Sequence, residues 1–286
     1  MKETPGLFKY LDSSKLVFFE KRLLLLTPPK YLNDPWDFLP KGRIPSEDEI
    51  LKIWQEIEND IACSSAIVVP LDLALREQQK RLEGLKAGVA STKFLGGQGK
   101  NYQQEISKLF GIVSLTELPV CRLMWAHYAQ SYTGFVIELD AGEKYDYEDF
   151  VARNMGTGLN AVKVKYPPTF QQIQIAKDAS NVLELCCTKH PSWKYEEEWR
   201  NIAPLSGSVP CRLVDNSGRE KRRFCLPFKP ENLRRVIFGM RMEAETKQRL
   251  STMLAQEDFK NVKKQITDID HETGELILKP FPELEK

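Results

Sequence analysis

Apolar residues occur in short runs separated by turn signals, without one period that holds along the chain. Leu7-Phe8-Lys9-Tyr10 predicts a first strand. Residues 16–26 mix aromatic and aliphatic residues around Glu20, Lys21 and Arg22 and should end in a second strand over 22–26. Thr27-Pro28-Pro29 stops it, because proline cannot donate to a ladder. Asn33-Asp34-Pro35 is a turn signal.

From Ser46 the period changes. Ser46 and Glu49 have capping-box spacing, and Ile50, Ile53, Trp54, Ile57 and Ile61 recur at helical intervals. Leu71, Leu75, Leu82 and Leu85 suggest a second helix, and residues 88–99, with Gly96-Gly97 and Gly99, read as a flexible loop. Residues 46–109 are therefore expected to form a mostly helical insertion or cap on a single domain spanning 1–286.

Strand character returns at 111–116, a short helix is expected over 122–130, and further strands over 134–139 and 162–166. Residues 170–189 read as helix and 193–203 as strand. Residues 211–214 and 222–226 flank Asp215-Asn216-Ser217-Gly218, which predicts a hairpin. A buried strand at 236–239, a helix at 243–254 and strands at 263–266 and 275–279 complete the pattern. Strands and helices mix without a regular βαβ rhythm. The expected class is α+β, with a mixed, mainly antiparallel, split β core, flanking helices and the helical insertion.

Composition narrows the function classes only a little. With 42% hydrophobic and 28% charged residues, the chain has ordinary globular content. No apolar run approaches membrane-spanning length, and no signal core follows the first residues, so a cytoplasmic protein without membrane association is expected. Lys plus Arg is 41 against 40 for Asp plus Glu, so no global nucleic-acid footprint exists. A local basic patch, Arg219, Lys221, Arg222 and Arg223, could meet nucleic acid or simply be a solvated hairpin tip. The six cysteines include no Cys-x-x-Cys pair, and only three histidines are present, so no zinc site and reduced thiols are expected.

Candidate chemistry concentrates in Trp193-Lys194-Tyr195-Glu196-Glu197-Glu198-Trp199-Arg200. On a strand, Glu196, Glu198 and Arg200 share one face, and two carboxylates so placed perturb each other's protonation. An exposed face with a local ion pair is the plain alternative. On the helix around Trp125, His127 could be a base, a ligand contact or, more commonly, a hydrogen-bonded core residue. Asn33-Asp34-Pro35-Trp36-Asp37 could bind a substrate amide or build a turn.

These segments, in order, carry a resemblance: Leu7-Phe8-Lys9-Tyr10, Asn33 to Asp37, Ser114-Leu115-Thr116, Met124 to Ala129 with Gly134-Phe135, Trp193 to Arg200, and Val236-Ile237-Phe238-Gly239. The pattern resembles the bacterial family catalogued as domain of unknown function 2971. A second, shorter pattern is similar to ADP-ribosyltransferases and related NAD-cleaving domains, which place an Arg, His or Tyr, a Ser-x-Thr/Ser strand and a Glu-x-Glu strand on a split β core. Here the matching positions are Lys9-Tyr10, Ser114-Leu115-Thr116 and Glu196-Glu197-Glu198.

That likeness implies NAD as substrate, Glu198 as catalytic carboxylate, Glu196 acting on the acceptor and Ser114 orienting Glu198. It implies NAD contacts from Tyr10, His127 and Trp193, and from Lys9 or Arg200 to the pyrophosphate; an effector of a defence or toxin system is an extension of that idea, which no residue of its own supports. Two other readings stay open. One is a metal-dependent nuclease or hydrolase using Asp34, Asp37, Glu196 and Glu198 around Mg²⁺. The other is a non-enzymatic interaction module.

Overall fold

The computed structural model describes residues 6–43, 45–46, 48–52, 55, 79–80, 83–84, 86, 92–140, 144–145, 161–169, 173–175, 181–214 and 220–282. The chain forms two compact units, one of residues 1–38, 106–170 and 186–286, the other of residues 39–105 and 171–185.

The first unit is built on a nine-stranded sheet. Its strands are β1 (Leu7–Leu11), β3 (Phe110–Thr116), β4 (Phe135–Leu139), β5 (Lys144–Tyr145), β6 (Ala161–Lys163), β7 (Glu198–Pro204), β10 (Leu233–Phe238), β11 (Lys263–Ile269) and β12 (Leu276–Pro280). The order across the sheet is β12-β11-β10-β4-β1-β3-β7-β6-β5. Among the described strands only β10–β11 and β5–β6 pair in parallel, so the sheet is mixed and mainly antiparallel, and the fold is α+β. A second sheet takes the order β2-β9-β8 from β2 (Leu23–Leu26), β8 (Val209–Val214) and β9 (Glu220–Pro227).

Strand alternation divides the apolar side chains between the two faces of the large sheet. Leu7, Leu11, Val113, Leu115, Phe135, Ile137, Val236 and Phe238 enter one core, which Leu250, Met253 and Leu254 of the helix Ala244–Leu254 also join. Phe8, Tyr10, Val136 and Ile237 point the other way, where Met124 and Trp125 of the helix Arg122–His127 cover them. Ser114 and Thr116 stand opposite Arg200 and Glu198 across β3 and β7, and Phe8 stands opposite Thr116. The polar residues of β3 and β7 therefore share the face of Phe8 and Tyr10.

β1 pairs with β4 from Leu7 to Leu11, but it meets β3 only at Phe8 opposite Thr116. Past that point the two strands part, and the core is split there.

Four expectations need correction. Residues 193–197 are not strand: Pro191–Glu196 is a 3-10 helix and β7 starts at Glu198. The turn between them is made by Glu197 at φ 41°, a left-handed conformation that strand periodicity does not anticipate. Residues 92–99 are not a loop, because Thr92–Ile106 is helical. A Cβ on Gly99 would lie 2.1 Å from the carbonyl oxygen of Pro40, so the glycine there allows two backbones of the second unit to approach. Helix over 170–189 is confined, among the described residues, to Val182–Cys187, while Gln174 bridges to Lys41.

The fourth concerns the thiols. Cys211 and Cys225 form a disulfide, so not all cysteines are reduced. Hairpin register explains it: Cys211 faces Arg223, two residues from Cys225, and the diagonal brings the two Cα atoms to 6.5 Å. Spacing along the chain could not show this. The expected helix over 71–85 falls mostly outside the described residues. No described helix is long and apolar enough to cross a membrane.

Candidate functional site

Beside the split between β1 and β3 lies a cavity of about 80 Å³. By the measure that one water needs ~10–15 Å³, it has room for several waters or one small cyclic group. β1 contributes Phe8, Lys9 and Tyr10, and β3 contributes Ser114, Leu115 and Thr116. Asn33, Asp37, Tyr128, Lys189, Glu196 and Glu198 complete its polar wall.

A buried ion network backs this wall. The Arg200 guanidinium is fully buried on β7 and holds Asp37 with two hydrogen bonds, Nη1–Oδ1 at 3.0 Å and Nη2–Oδ2 at 2.5 Å. The same guanidinium donates to both oxygens of Glu198, from Nε at 2.9 Å and Nη2 at 3.0 Å. It also donates to the carbonyl oxygen of Cys186 at 2.6 Å. Lys189 Nζ then links the two carboxylates, at 2.6 Å from Glu196 and 3.0 Å from Glu198. Its ammonium lies 4.8 Å from the centre of the Trp193 ring. Tyr128 donates to the other oxygen of Glu196 at 2.5 Å, and Asn33 donates to the Tyr128 hydroxyl at 2.9 Å. Thr116 donates to the Glu196 carbonyl oxygen at 2.5 Å, which ties the 3-10 segment to β3.

The two glutamates are driven apart in acidity. Burial pushes Glu198 up, but Arg200, then Lys189, and hydrogen bonds from Arg200 and Ser114 outweigh it and hold its carboxyl down at about 2. Glu196 moves the other way: burial and the charge of Glu198 raise it above the usual carboxylate range, against Lys189. Of the two, Glu198 is therefore the more firmly ionised. Lys189 loses acidity to its partners: burial alone would lower it, and Glu198 and Glu196 hold it up. Burial next to Glu196 raises Tyr128, so it remains a phenol.

The cavity brings together Lys9, Tyr10, Ser114, Glu196 and Glu198 of the expected site. Tyr10 offers its ring rather than its hydroxyl, which donates to Leu118 O at 2.9 Å and accepts from Cys121 N at 3.3 Å. Three expected contacts lie elsewhere. His127 is exposed on its helix and off the cavity wall, because helical rotation sends the next residue, Tyr128, inward instead. Arg200 stands behind Glu198, committed to two carboxylates and unable to reach a pyrophosphate. Trp193 covers Lys189 and does not line the cavity.

The segment from Asn33 to Asp37 both builds a turn and supplies the site. Asp34 accepts from Trp36 N at 2.9 Å, while Asn33 and Asp37 join the cavity wall. This arrangement leaves little for Mg²⁺, since Asp37 is taken by Arg200 and Asp34 by the turn. Among the described residues no group of three or more His, Cys, Asp or Glu side chains is placed to hold a metal ion.

Lys189, Tyr128 and Tyr166 escaped the sequence reading. Tyr166 accepts from Glu198 N at 3.1 Å. The only hint of Lys189 was its place seven residues before Glu196, which no periodic template favours. Of the basic hairpin, Arg219 and the Lys221 side chain lie outside the described residues. Arg223 lies 5.4 Å from the Tyr31 ring centre and Arg222 5.6 Å from that of Phe224.

No curated protein and no solved structure matches the chain. Residues 124–201, which carry Tyr128, Lys189, Glu196, Glu198 and Arg200, match the family model described as Protein of unknown function (DUF2971), so this segment of the chain is similar to that family.

Proposed function

We propose that the cavity binds the nicotinamide-ribose end of NAD and that the protein cleaves or transfers at the glycosidic carbon. The observation that carries this reading is the meeting of Lys9-Tyr10, Ser114-x-Thr116 and Glu196-x-Glu198 around one cavity at the split in the sheet. NAD supplies a ribose carbon that becomes positively charged as nicotinamide leaves. Glu198, held ionised and oriented by Arg200, Lys189 and Ser114, is a fixed negative charge facing that carbon's position. Preorganised charge of this kind is often the largest catalytic contribution. Glu196, with its raised affinity for a proton, accepts one from the incoming nucleophile. The Tyr10 ring offers a flat apolar wall for the departing base.

The cavity has room for one small ring, so the ribose would sit at its mouth and the adenylate half outside it. Action on a macromolecular acceptor, as an effector of a defence or toxin system, would extend this reading.

The test is calorimetric titration with NAD, followed by nicotinamide release on the same samples. Wild type should bind and release, Ser114→Ala should release more slowly, and Glu196→Gln should bind without release. A wild-type protein that neither binds NAD nor releases nicotinamide overturns the reading.

A further inference from the structure

Two lysines reach the cavity, and the fold treats them in opposite ways. Lys189 is clamped between two carboxylates and stays charged. Lys9 comes from β1 at the place where β1 and β3 part. By strand parity it belongs with Leu7 and Leu11, but the gap lets its Nζ reach the carbonyl oxygen of Ser114 at 3.0 Å. Among the described residues no carboxylate lies within ion-pair distance of it. Burial pushes its ammonium down to about 8, with Glu198 opposing and Lys15 adding to the fall. The other ionisable groups on the cavity wall are Asp37, Glu196, Tyr10 and Tyr128 besides Lys189.

We propose that Lys9 is a nucleophilic amine that forms an imine with the aldehyde carbon of a small hydroxyaldehyde, an open-chain sugar, seated in the cavity. The wall fits that class: the amide oxygen of Asn33 and the hydroxyl oxygen of Ser114 can accept hydrogen bonds from ligand hydroxyls, and Phe8 and Tyr10 offer apolar surface to carbon. A small aldehyde also matches a cavity with room for about one small ring.

The step balances without an oxidant. Lys9 first loses one proton to solvent and its nitrogen lone pair attacks the carbonyl carbon, giving a carbinolamine once the N–H proton has moved to the oxygen. The C–O bond then breaks, the hydroxyl leaves as water with a proton from Glu196, and the remaining N–H proton returns to Glu196. The net change is one C=N bond formed and one water released. This inference concerns the same cavity as the NAD reading but does not rest on it, because the readout below involves no NAD.

The experiment is reductive trapping of the full chain at pH 8 with glyceraldehyde or ribose and cyanoborohydride, followed by peptide mass mapping. The reductant delivers hydride to the imine carbon and fixes a secondary amine carrying the ligand mass less one oxygen. At pH 8 an amine of pKa about 8 is roughly a hundredfold more neutral than an ordinary lysine. Lys9 should therefore dominate the map, its labelling should rise between pH 6 and 9, and Lys9→Met should lose that adduct. Labelling spread evenly over surface lysines, or a flat pH profile at Lys9, overturns the proposal. The wild-type map decides even if Lys9→Met does not fold.

Discussion

Arg200 and Asp37 meet through a two-pronged, fully buried hydrogen-bonded pair across a separation of 163 residues. The pair ties the turn after Asn33 to the middle of β7, and through Glu198 it ties both to the cavity. Burying such charges brings little net stability while both are present, but removing one partner strands the other.

Arg200→Met should therefore cost ~3–5 kcal/mol in urea denaturation, because Asp37 and Glu198 would be left without their counter-charge. Arg200→Met combined with Asp37→Leu should cost less than the sum of the two single changes. Strictly additive losses would show that the two side chains are not coupled.

Glu198 makes stability depend on acid in a defined window. Its folded pKa, about 2, lies below the unfolded value near 4.5, so the native state binds this proton less readily than the unfolded one. The stabilisation is fully present above about pH 4.5 and is lost as pH falls toward 2. Glu196 is raised and acts with opposite sign, losing stability as pH rises above its unfolded value. Thermal melts from pH 2 to 6 should show a shallower acid limb for Glu198→Gln than for wild type. Parallel limbs would place the acid sensitivity elsewhere.

Tyr128→Phe removes the phenol that donates to Glu196 and accepts from Asn33. A hydrogen bond to a charged partner is worth ~1.5–3 kcal/mol, so a loss in that range is expected. With the donor gone, Glu196 should hold its proton still more tightly, which infrared titration of the carboxyl band can follow. An unmoved titration would mean the phenol does not set its acidity.

Glu197 sits at φ 41°, where a side chain other than glycine is strained. Its ion pair with Lys163 is 4.0 Å long and partly exposed, so it contributes little. Glu197→Gly should leave stability unchanged or raise it by up to ~1 kcal/mol. A clear loss would show that the carboxylate, rather than the backbone turn, matters there.

Cys211 and Cys225 close a loop with a sequence separation of 14, for which chain entropy predicts ~3 kcal/mol. Non-reducing peptide mapping should find these two cysteines linked, and a reductant should lower the melting temperature. Unlinked peptides in both conditions would contradict the bond.

Much of the scaffold was legible because it depends on local pattern. The alternation in Leu7-Phe8-Lys9-Tyr10, the hairpin of β8 and β9, and the strand of Val236 and Ile237 follow from side-chain period and turn chemistry. So does the α+β class, since mixed elements without βαβ rhythm cannot build a doubly wound sheet. The Glu196/Glu198 pair stood out as clustered carboxylates between aromatic residues, and Ser114 through the resemblance to a Ser-x-Thr strand.

What only the tertiary structure decided concerns partners far apart in the chain. Arg200 looked like an anion contact, but strand pairing and the turn at Asp37 bury it behind Glu198. His127 and Tyr128 are neighbours in sequence, and only the docking of their helix decides which of them reaches the cavity. Lys189 finds Glu196 because the chain between them winds as the 3-10 helix Pro191–Glu196, and Lys9 leaves the core because β1 and β3 part beyond Phe8. Local periodicity acts over a few residues, whereas these placements come from long-range packing and buried charge.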